Sequence, residues 1–343
     1  VMYILNGSGL QLGQKPKGLI PFHSMGHFAI NPIQEQILQG EDVDFNVEQM
    51  HFTIQQEFEN EIKQSISNLR KFSGPGRSIG FSYQESSTDA YAFNPDGSPA
   101  LGENGELIKR PAGHGALLDN LDLIQEDIIL IKNIDNIQHW DHHSVSQRYW
   151  KLILSVLDNV QSEIHALLDD FDLQRFEQIN SKYQLIHTSD IQNWTNDEIV
   201  HSLKAPIRVC GMVRNVGQPG GGPYWVKEKT KLTKQIVEKT QISSEQQSLM
   251  VKSTHFNPVM IALSSVDANG RKYDLKEFMD ESKYFVVDKE YLGKKIRYCE
   301  LPGLWNGSMS NWNTVFVEIP NEIFSPVKTV LDLLQTVHQP IKK

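Results

Sequence analysis

Two neighbouring stretches restrict this chain more than any others: Arg110-Pro-Ala-Gly-His-Gly-Ala-Leu-Leu118 and Asp127-Ile-Ile-Leu-Ile-Lys-Asn-Ile-Asp-Asn136. The first reads as a glycine-flanked loop running into a helix. The second reads as a short apolar strand whose end presents Asp135 and Asn136. Glycine lets a flat ligand lie close to the backbone, and a buried strand can deliver a carboxylate to a cation. Loop, helix and strand in this order are how α/β folds hold a nucleotide and its metal. Nucleotide chemistry is therefore the leading reading.

Periodicity elsewhere agrees with an α/β chain. Residues 31–42 have helical spacing at Ile33, Ile37 and Leu38, and Gln56 to Leu69 repeat Phe58, Ile62, Ile66 and Leu69. Met50-His-Phe-Thr-Ile54 and Ser78-Ile-Gly-Phe-Ser-Tyr-Gln84 alternate as strands. Strand, helix, strand predicts βαβ units. Turn signals at Asn94-Pro-Asp-Gly97 and Glu103-Asn-Gly-Glu106 predict a small hairpin. From Ser144 to about Leu185, Trp150, Leu154, Leu157, Ile164, Leu167 and Leu168 recur at helical spacing. Strands return at Ile207–Val213, Tyr284–Val287, Lys295–Cys299 and Thr314–Glu318, and lysine-rich Lys227–Lys239 reads as a solvated helix face. The expected fold is α/β and Rossmann-like: a mixed, mainly parallel sheet flanked by helices, with a helical insert at about 144–203 and a C-terminal β-rich part. A single domain over residues 1–343 is expected, and Val1, not being Met, leaves room for more of the fold upstream.

Charge narrows the partners. Of 343 residues, 33 are Lys or Arg and 42 Asp or Glu, a formal net charge of -9. An acidic chain is a poor match for duplex nucleic acid, whereas a small anion needs only a few lysines and backbone amides. Cys210 and Cys299 are the 2 cysteines, too few for a metal motif or a disulfide framework. No apolar run is long enough to span a membrane and no secretion signal is visible. The expectation is a cytoplasmic protein with neither nucleic-acid nor membrane partners.

Several segments carry candidate chemistry, each with a plainer alternative. Lys15-Pro-Lys-Gly-Leu19 places Lys17 in a rigid turn, either a phosphate contact or a surface turn. Gln84 ends a strand; its amide can read a pyrimidine edge or cap a loop. Arg110, Gly113, His114 and Gly115 form the glycine loop, with His114 as a polar contact, or a tight turn with a capping role. Asp135 is placed to hold Mg²⁺ or to cap a turn. His139-Trp-Asp-His-His143 does not have zinc spacing and reads as a polar loop. Gly217-Gln-Pro-Gly-Gly-Gly-Pro223, following Arg214, is a loop shaped for a ligand or a passive linker. His255 and Asn257 in Ser253-Thr-His-Phe-Asn-Pro258 suit sugar hydroxyls. Trp305, Asn306, Trp312 and Asn313, in a loop that follows Glu300, have the composition of a sugar platform or of a buried tryptophan-rich loop. Arg214, Gly221, His255, Asn257, Glu300, Trp305, Asn306 and Asn313 make up the sugar-side set.

In order along the chain, Pro16-Lys17-Gly18, Phe81 to Gln84, Pro111 to Gly115, Ile134-Asp135-Asn136 and Phe324-Ser-Pro-Val-Lys328 resemble the motifs of the UDP-sugar pyrophosphorylases, nucleotidyltransferases of the GT-A type. A closer resemblance, over nearly the whole chain, is to an uncharacterised bacterial family distantly related to them. It rests on the Pro-Lys-Gly-Leu-Ile-Pro-Phe-His, Gly-His-Gly-Ala-Leu, triple-glycine, Ser-Thr-His-Phe-Asn-Pro-Val and Pro-Gly-Leu-Trp-Asn-Gly segments. The transferase resemblance implies Mg²⁺ at Asp135, phosphates at Lys17 and Lys328, uracil at Gln84 and Gly113, and a sugar near Asn257. It implies a nucleotide sugar and pyrophosphate as products. Two departures stand out: His114 replaces the family's loop Asn, and Leu5-Asn-Gly-Ser-Gly-Leu-Gln-Leu-Gly13 lacks the Gly-Thr-Arg of the triphosphate loop. Those departures keep two rivals open, a non-catalytic nucleotide-sugar sensor and a GT-A glycosyltransferase.

Overall fold

The computed structural model describes residues 11–43, 47–111, 113–217, 220–228, 231–250 and 252–341. Much of the Leu5–Gly13 loop, and Gln218 and Pro219 of the triple-glycine loop, lie outside them. The chain forms two compact units, one of Val1–Tyr83, Lys132–Lys151 and Pro320–Lys343, the other of Gln84–Ile131 and Leu152–Ile319.

The first unit opens with a hairpin of β1 (His23–Met25) and β2 (Phe28–Ile30). Helix α1 (Pro32–Asp42) then starts on a reciprocal cap. Asn31 accepts from the Gln34 amide, and the Gln34 side chain accepts from the Asn31 N–H. Strand β3 (Gln49–Ile54), helix α2 (Glu59–Ser73) and strand β4 (Ser78–Tyr83) make the βαβ unit expected from the sequence, with β3 and β4 parallel. Leu19, Ile33, Ile37, Ile54, Ile62 and Leu69 form its core. Each contributes about 1.5–3 kcal/mol on burial. The ion pair of Arg70 with Glu41 joins α2 to α1 at 2.6 Å.

The second unit begins with β5 (Ala90–Phe93), β6 (Lys109–Arg110), the short α3 (Leu117–Asp122) and β7 (Ile128–Lys132). The expected helical region is α4 (Ser144–Asp169), whose residues 144–151 are counted with the first unit, then α5 (Leu173–Tyr183), α6 (Thr188–Ile191) and α7 (Asn196–Leu203). The buried stripe of α4 is Trp150, Ile153, Leu157, Val160, Ile164 and Leu167, spaced at three and four. Next come β8 (Ile207–Arg214), β9 (Gly222–Lys227), β10 (Leu232–Val237), β11 (His255–Phe256), β12 (Met260–Ser264), β13 (Phe285–Tyr291), β14 (Lys294–Glu300) and β15 (Asn313–Glu318).

The architecture is mixed α/β. Strand β8 lies inside a five-stranded sheet, antiparallel to β11 and β12 and parallel to β15, with β7 beside β12. The parallel pairings registered are β15 with β8 and β3 with β4. A second sheet, β13-β14-β5-β6, is antiparallel.

Lys227–Lys239 departs from the expected helix face. Its residues Leu232–Val237 form β10, antiparallel to β9, with Lys234 opposite Trp225. The Lys234 ammonium lies 5.4 Å from the Trp225 ring centroid and 5.6 Å from that of Phe316, and donates to the Tyr183 carbonyl at 3.0 Å. Burial pushes this amine down to about 8. Strand β12 has no counterpart in the sequence reading. It is buried at every position, so it lacks the alternation that marks a half-buried strand.

Candidate functional site

On the first unit, three sequence-predicted residues meet. Pro16 fixes the entry to a single helical turn, Lys17–Leu19. A Cβ on Gly18 would lie 3.0 Å from the Ile33 side chain, so glycine lets this turn press onto α1. Lys17 Nζ then donates to Asp135 Oδ2 at 2.8 Å, and Lys328 Nζ donates to the same oxygen at 3.0 Å. Lys328 is brought there by backbone. The Val327 N–H donates to the Asp135 carbonyl at 3.0 Å, and the Ser325 N–H donates to Asn136 Oδ1 at 2.9 Å. The motifs 134–136 and 324–328 are thus stitched to each other, which no local pattern announces.

One carboxylate between two ammonium groups leaves an excess of one positive charge. Burial acts to raise the Asp135 carboxyl, but hydrogen bonds from Lys17 and Lys328, with their charges, outweigh it and hold the group below the usual carboxylate range. The arrangement is suited to an anion. Both lysines bond the same oxygen, Oδ2. Among the described residues no cluster of three or more His, Cys, Asp or Glu side chains could hold a metal ion.

On the second unit, the glycine loop packs against protein. A Cβ on Gly115 would come within 2.4 Å of the Leu301 carbonyl oxygen, so its close approach is to Leu301 backbone. The His114 ring stacks on Trp305, centroids 4.2 Å apart and planes 2° apart, and its Nδ1 accepts from the Leu304 N–H at 3.1 Å. That fixes the tautomer: Nε2 carries the proton and faces Glu238 Oε1 at 3.5 Å. Arg110 is ion-paired with Glu300, and Gly113 lies against Glu300 as well. Asn306 donates to the Ile236 carbonyl at 2.8 Å, while its Oδ1 is buried with no partner among the described residues. Gly221 packs close to Ile236, Glu238 and Asn306. Arg110, Gly113, His114, Gly115, Gly221, Glu300, Trp305 and Asn306 are thereby linked by contacts.

Sequence reading missed Glu238 and Gln241 in this group. Glu238 follows β10 directly, and Gln241 Oε1 accepts from the Glu238 N–H at 3.0 Å. A carboxylate at a strand end was the available signal, hidden once 227–239 was read as helix. Fully buried Arg208 was also missed; it donates to the Trp305 carbonyl at 2.7 Å and to Thr314 at 2.9 Å, holding the loop from within.

Of the remaining candidates, Asn257 touches this group through its backbone, its N–H donating to the Gly221 carbonyl at 2.8 Å. Arg214 and His255 face each other across β8 and β11 and both reach Glu318, at 3.0 and 3.6 Å. Asn257 donates to the Gly211 carbonyl and accepts from the Val259 N–H, and Asn313 donates to the carbonyls of Ser202, Leu203 and Ala205. These amides are spent on backbone. Gln84 follows β4 and is half-buried. Of the 139–143 histidines, His139 bonds the Ser24 carbonyl, His142 the Gln339 carbonyl and His143 the Asp42 carboxylate.

The fold is that of the UDP-sugar pyrophosphorylases. A mutant UDP-glucose pyrophosphorylase from Leishmania major, solved in complex with UDP-Glc, superposes with a TM-score of 0.53 at 15% identity, over 93% of this chain and 60% of that one. A protein from Entamoeba histolytica named as a UDP-N-acetylglucosamine pyrophosphorylase gives 0.51 at 15% identity, over 96% and 75%. A Trypanosoma brucei UDP-glucose phosphorylase gives 0.46 at 18% identity, over 88% of this chain and 56% of that one. This chain thus spans less than two thirds of the first and third of these proteins. No curated protein matches it in sequence. By sequence the chain belongs to the domain-of-unknown-function family DUF4301, which it matches over residues 1–339.

Proposed function

We propose that this protein is a Mg²⁺-dependent nucleotidyltransferase that makes a nucleotide sugar, with UDP as its nucleotide, and pyrophosphate from a nucleoside triphosphate and a sugar 1-phosphate. The observation that carries the reading is the convergence of Lys17 and Lys328 on one oxygen of Asp135, in a chain with the fold of UDP-sugar pyrophosphorylases.

In this reaction an oxygen of the sugar phosphate forms a new bond to the α-phosphorus. The bond from that phosphorus to its bridging oxygen breaks, and pyrophosphate leaves with the electron pair. The protein's task is positioning and charge neutralisation. Lys17 and Lys328 act as point charges for the phosphates, and Asp135 holds both ammonium groups in place. Asp135 is also the protein ligand for Mg²⁺, which when bound supplies further neutralisation of phosphate oxygens. Gln84, Gly113 and the Arg110 loop are assigned to the nucleotide. Gly221, Glu300, Trp305, Asn306 and Glu238 are assigned to the sugar, a role supported by the buried, unpartnered Oδ1 of Asn306, an acceptor for a hydroxyl. A cytoplasmic site of action goes with these substrates, all small molecules.

The deciding experiment measures pyrophosphate release from uridine triphosphate and a panel of sugar 1-phosphates with Mg²⁺. Release that vanishes in Asp135→Asn supports the reading. Tight binding of a nucleotide sugar with no release would identify a sensor. Liberation of the nucleoside diphosphate from a nucleotide sugar would identify a glycosyltransferase.

A further inference from the structure

The first unit encloses a polar chain that the proposed chemistry does not use. His23, Glu35, His139 and His338 are each at most 2% exposed. His23 Nδ1 is in short contact with the Glu35 carboxylate, and His23 Nε2 faces His338 Nδ1 at 2.9 Å. The rings of His23 and His338 stack with centroids 5.1 Å apart, and the His139 ring meets His23 edge-on at 5.6 Å. His139 is already spent: it bonds the Ser24 carbonyl at 2.8 Å and accepts from the Asp141 N–H at 3.1 Å. The chain ends at His338 Nε2, which is buried and has no partner among the described residues.

Two imidazoles adjoin one carboxylate, and Glu35 is in contact with His23 rather than with His338. A proton taken up at His338 Nε2 has no hydrogen-bond acceptor among the described residues. The groups around it are His23, His139 and His142, with Asp332 as the opposing charge. Glu35 also attracts the charge of Lys132. Burial first, and then the neighbouring histidines, push the His338 imidazole down to about 4.

His338 also belongs to the segment that follows Lys328. Among the described residues, that segment is tied to residues 139–142 by the His139 N–H to the Val337 carbonyl at 2.9 Å, His142 to the Gln339 carbonyl at 3.0 Å, and the Ile341 N–H to Asp141 at 2.9 Å. Val330, Leu331 and Leu334 on it are at least 70% exposed, so little apolar burial holds it down. The geometry points to a proton-operated latch: the Glu35–His23–His338 relay holds residues 329–341 in place while His338 is neutral, and protonation of His338 releases that segment. The latch stands whether or not the site at Asp135 handles nucleotides.

Hydrogen exchange of the full-length chain, read by mass spectrometry across a pH series and corrected for intrinsic exchange, tests this. Peptides covering 329–341 should lose protection between pH about 6.5 and about 4. The loss should be roughly tenfold per pH unit, the slope of a single proton, while the βαβ core at 49–83 stays protected. His338→Phe and His338→Gln, which cannot take up the proton, should remove that slope; two substitutions guard against one that misfolds. Imidazole NMR titration of the unsubstituted chain gives an independent reading, with His338 titrating below the ordinary imidazole range. Loss of protection in step with the core, the same slope in a folded His338 variant, or flat protection across the series would each overturn the latch.

Discussion

The Arg110 guanidinium lies over the Tyr298 ring, its central carbon 4.3 Å from the ring centroid, while one of its nitrogens pairs with Glu300. This pairing joins the end of β6 to β14 and braces the loop that starts at Pro111. A lysine cannot both stack flat and keep the planar fork. Arg110→Lys should therefore cost about 0.5–2 kcal/mol. Urea denaturation would measure it, and an unchanged midpoint would remove the stacking from the account.

Asp135→Asn leaves Lys17 and Lys328 facing each other without a counter-charge. Pyrophosphate release should drop by about 10²-fold or more, with circular dichroism unchanged. Turnover equal to that of the parent chain would refute the role of Asp135 in holding the metal and the lysines.

Acid should act on the same group. The Asp135 carboxyl is held below its ordinary value of 3.8. The unfolded chain therefore takes up this proton first as pH falls. The stabilisation from Asp135 is complete above the unfolded value and is lost as pH drops through the lower folded one. Lys328→Met should shift the acid-unfolding midpoint to higher pH. A midpoint that does not move would show that Lys328 contributes nothing to the depression.

Lys234 gives the opposite end of the pH scale. Its amine is pushed from 10.5 to about 8 in the fold, so between these values the unfolded chain binds more protons. Stability linked to this group should rise with pH across that window. Lys234→Met should flatten the rise, as seen in thermal melts at a series of alkaline pH values. A rise of equal slope in both proteins would assign it elsewhere.

The proposed base preference would rest on Gln84, whose amide can pair with the O4 and N3–H edge of uracil. Calorimetry with the four nucleoside diphosphates and Mg²⁺ should rank uridine first. Gln84→Ala should narrow the ranking by roughly 0.5–1.5 kcal/mol. Equal affinities would withdraw the uracil assignment and leave the phosphate site standing.

What was legible in the sequence was what depends on local spacing. The helix at 32–42, the βαβ unit and the long helix at 144–169 all show their buried faces at three and four residues. The Lys17, Asp135 and Lys328 set was legible as motif order, though nothing local shows that both lysines choose one oxygen. Interior pairing was opaque. Lys234 reads as a solvent-facing residue until Trp225 and Phe316 are found around it. Asn257 and Asn313 read as ligand amides until the carbonyls they serve are known. Such roles depend on partners distant in the chain, and amide composition alone cannot tell a hydroxyl of a sugar from a carbonyl of the backbone.

The stitch between Asn136 and Ser325 carries a consequence for how the protein is made. A ribosome delivers Lys17 and Asp135 early, and Lys328 follows Asp135 by 193 positions. Until then Lys17 and Asp135 form a neutral pair with no surplus charge to offer an anion. The surplus arises only when the 324–328 segment seats itself. The surplus positive charge is thus a property of the finished chain, and a copy that stops short of Lys328 lacks it.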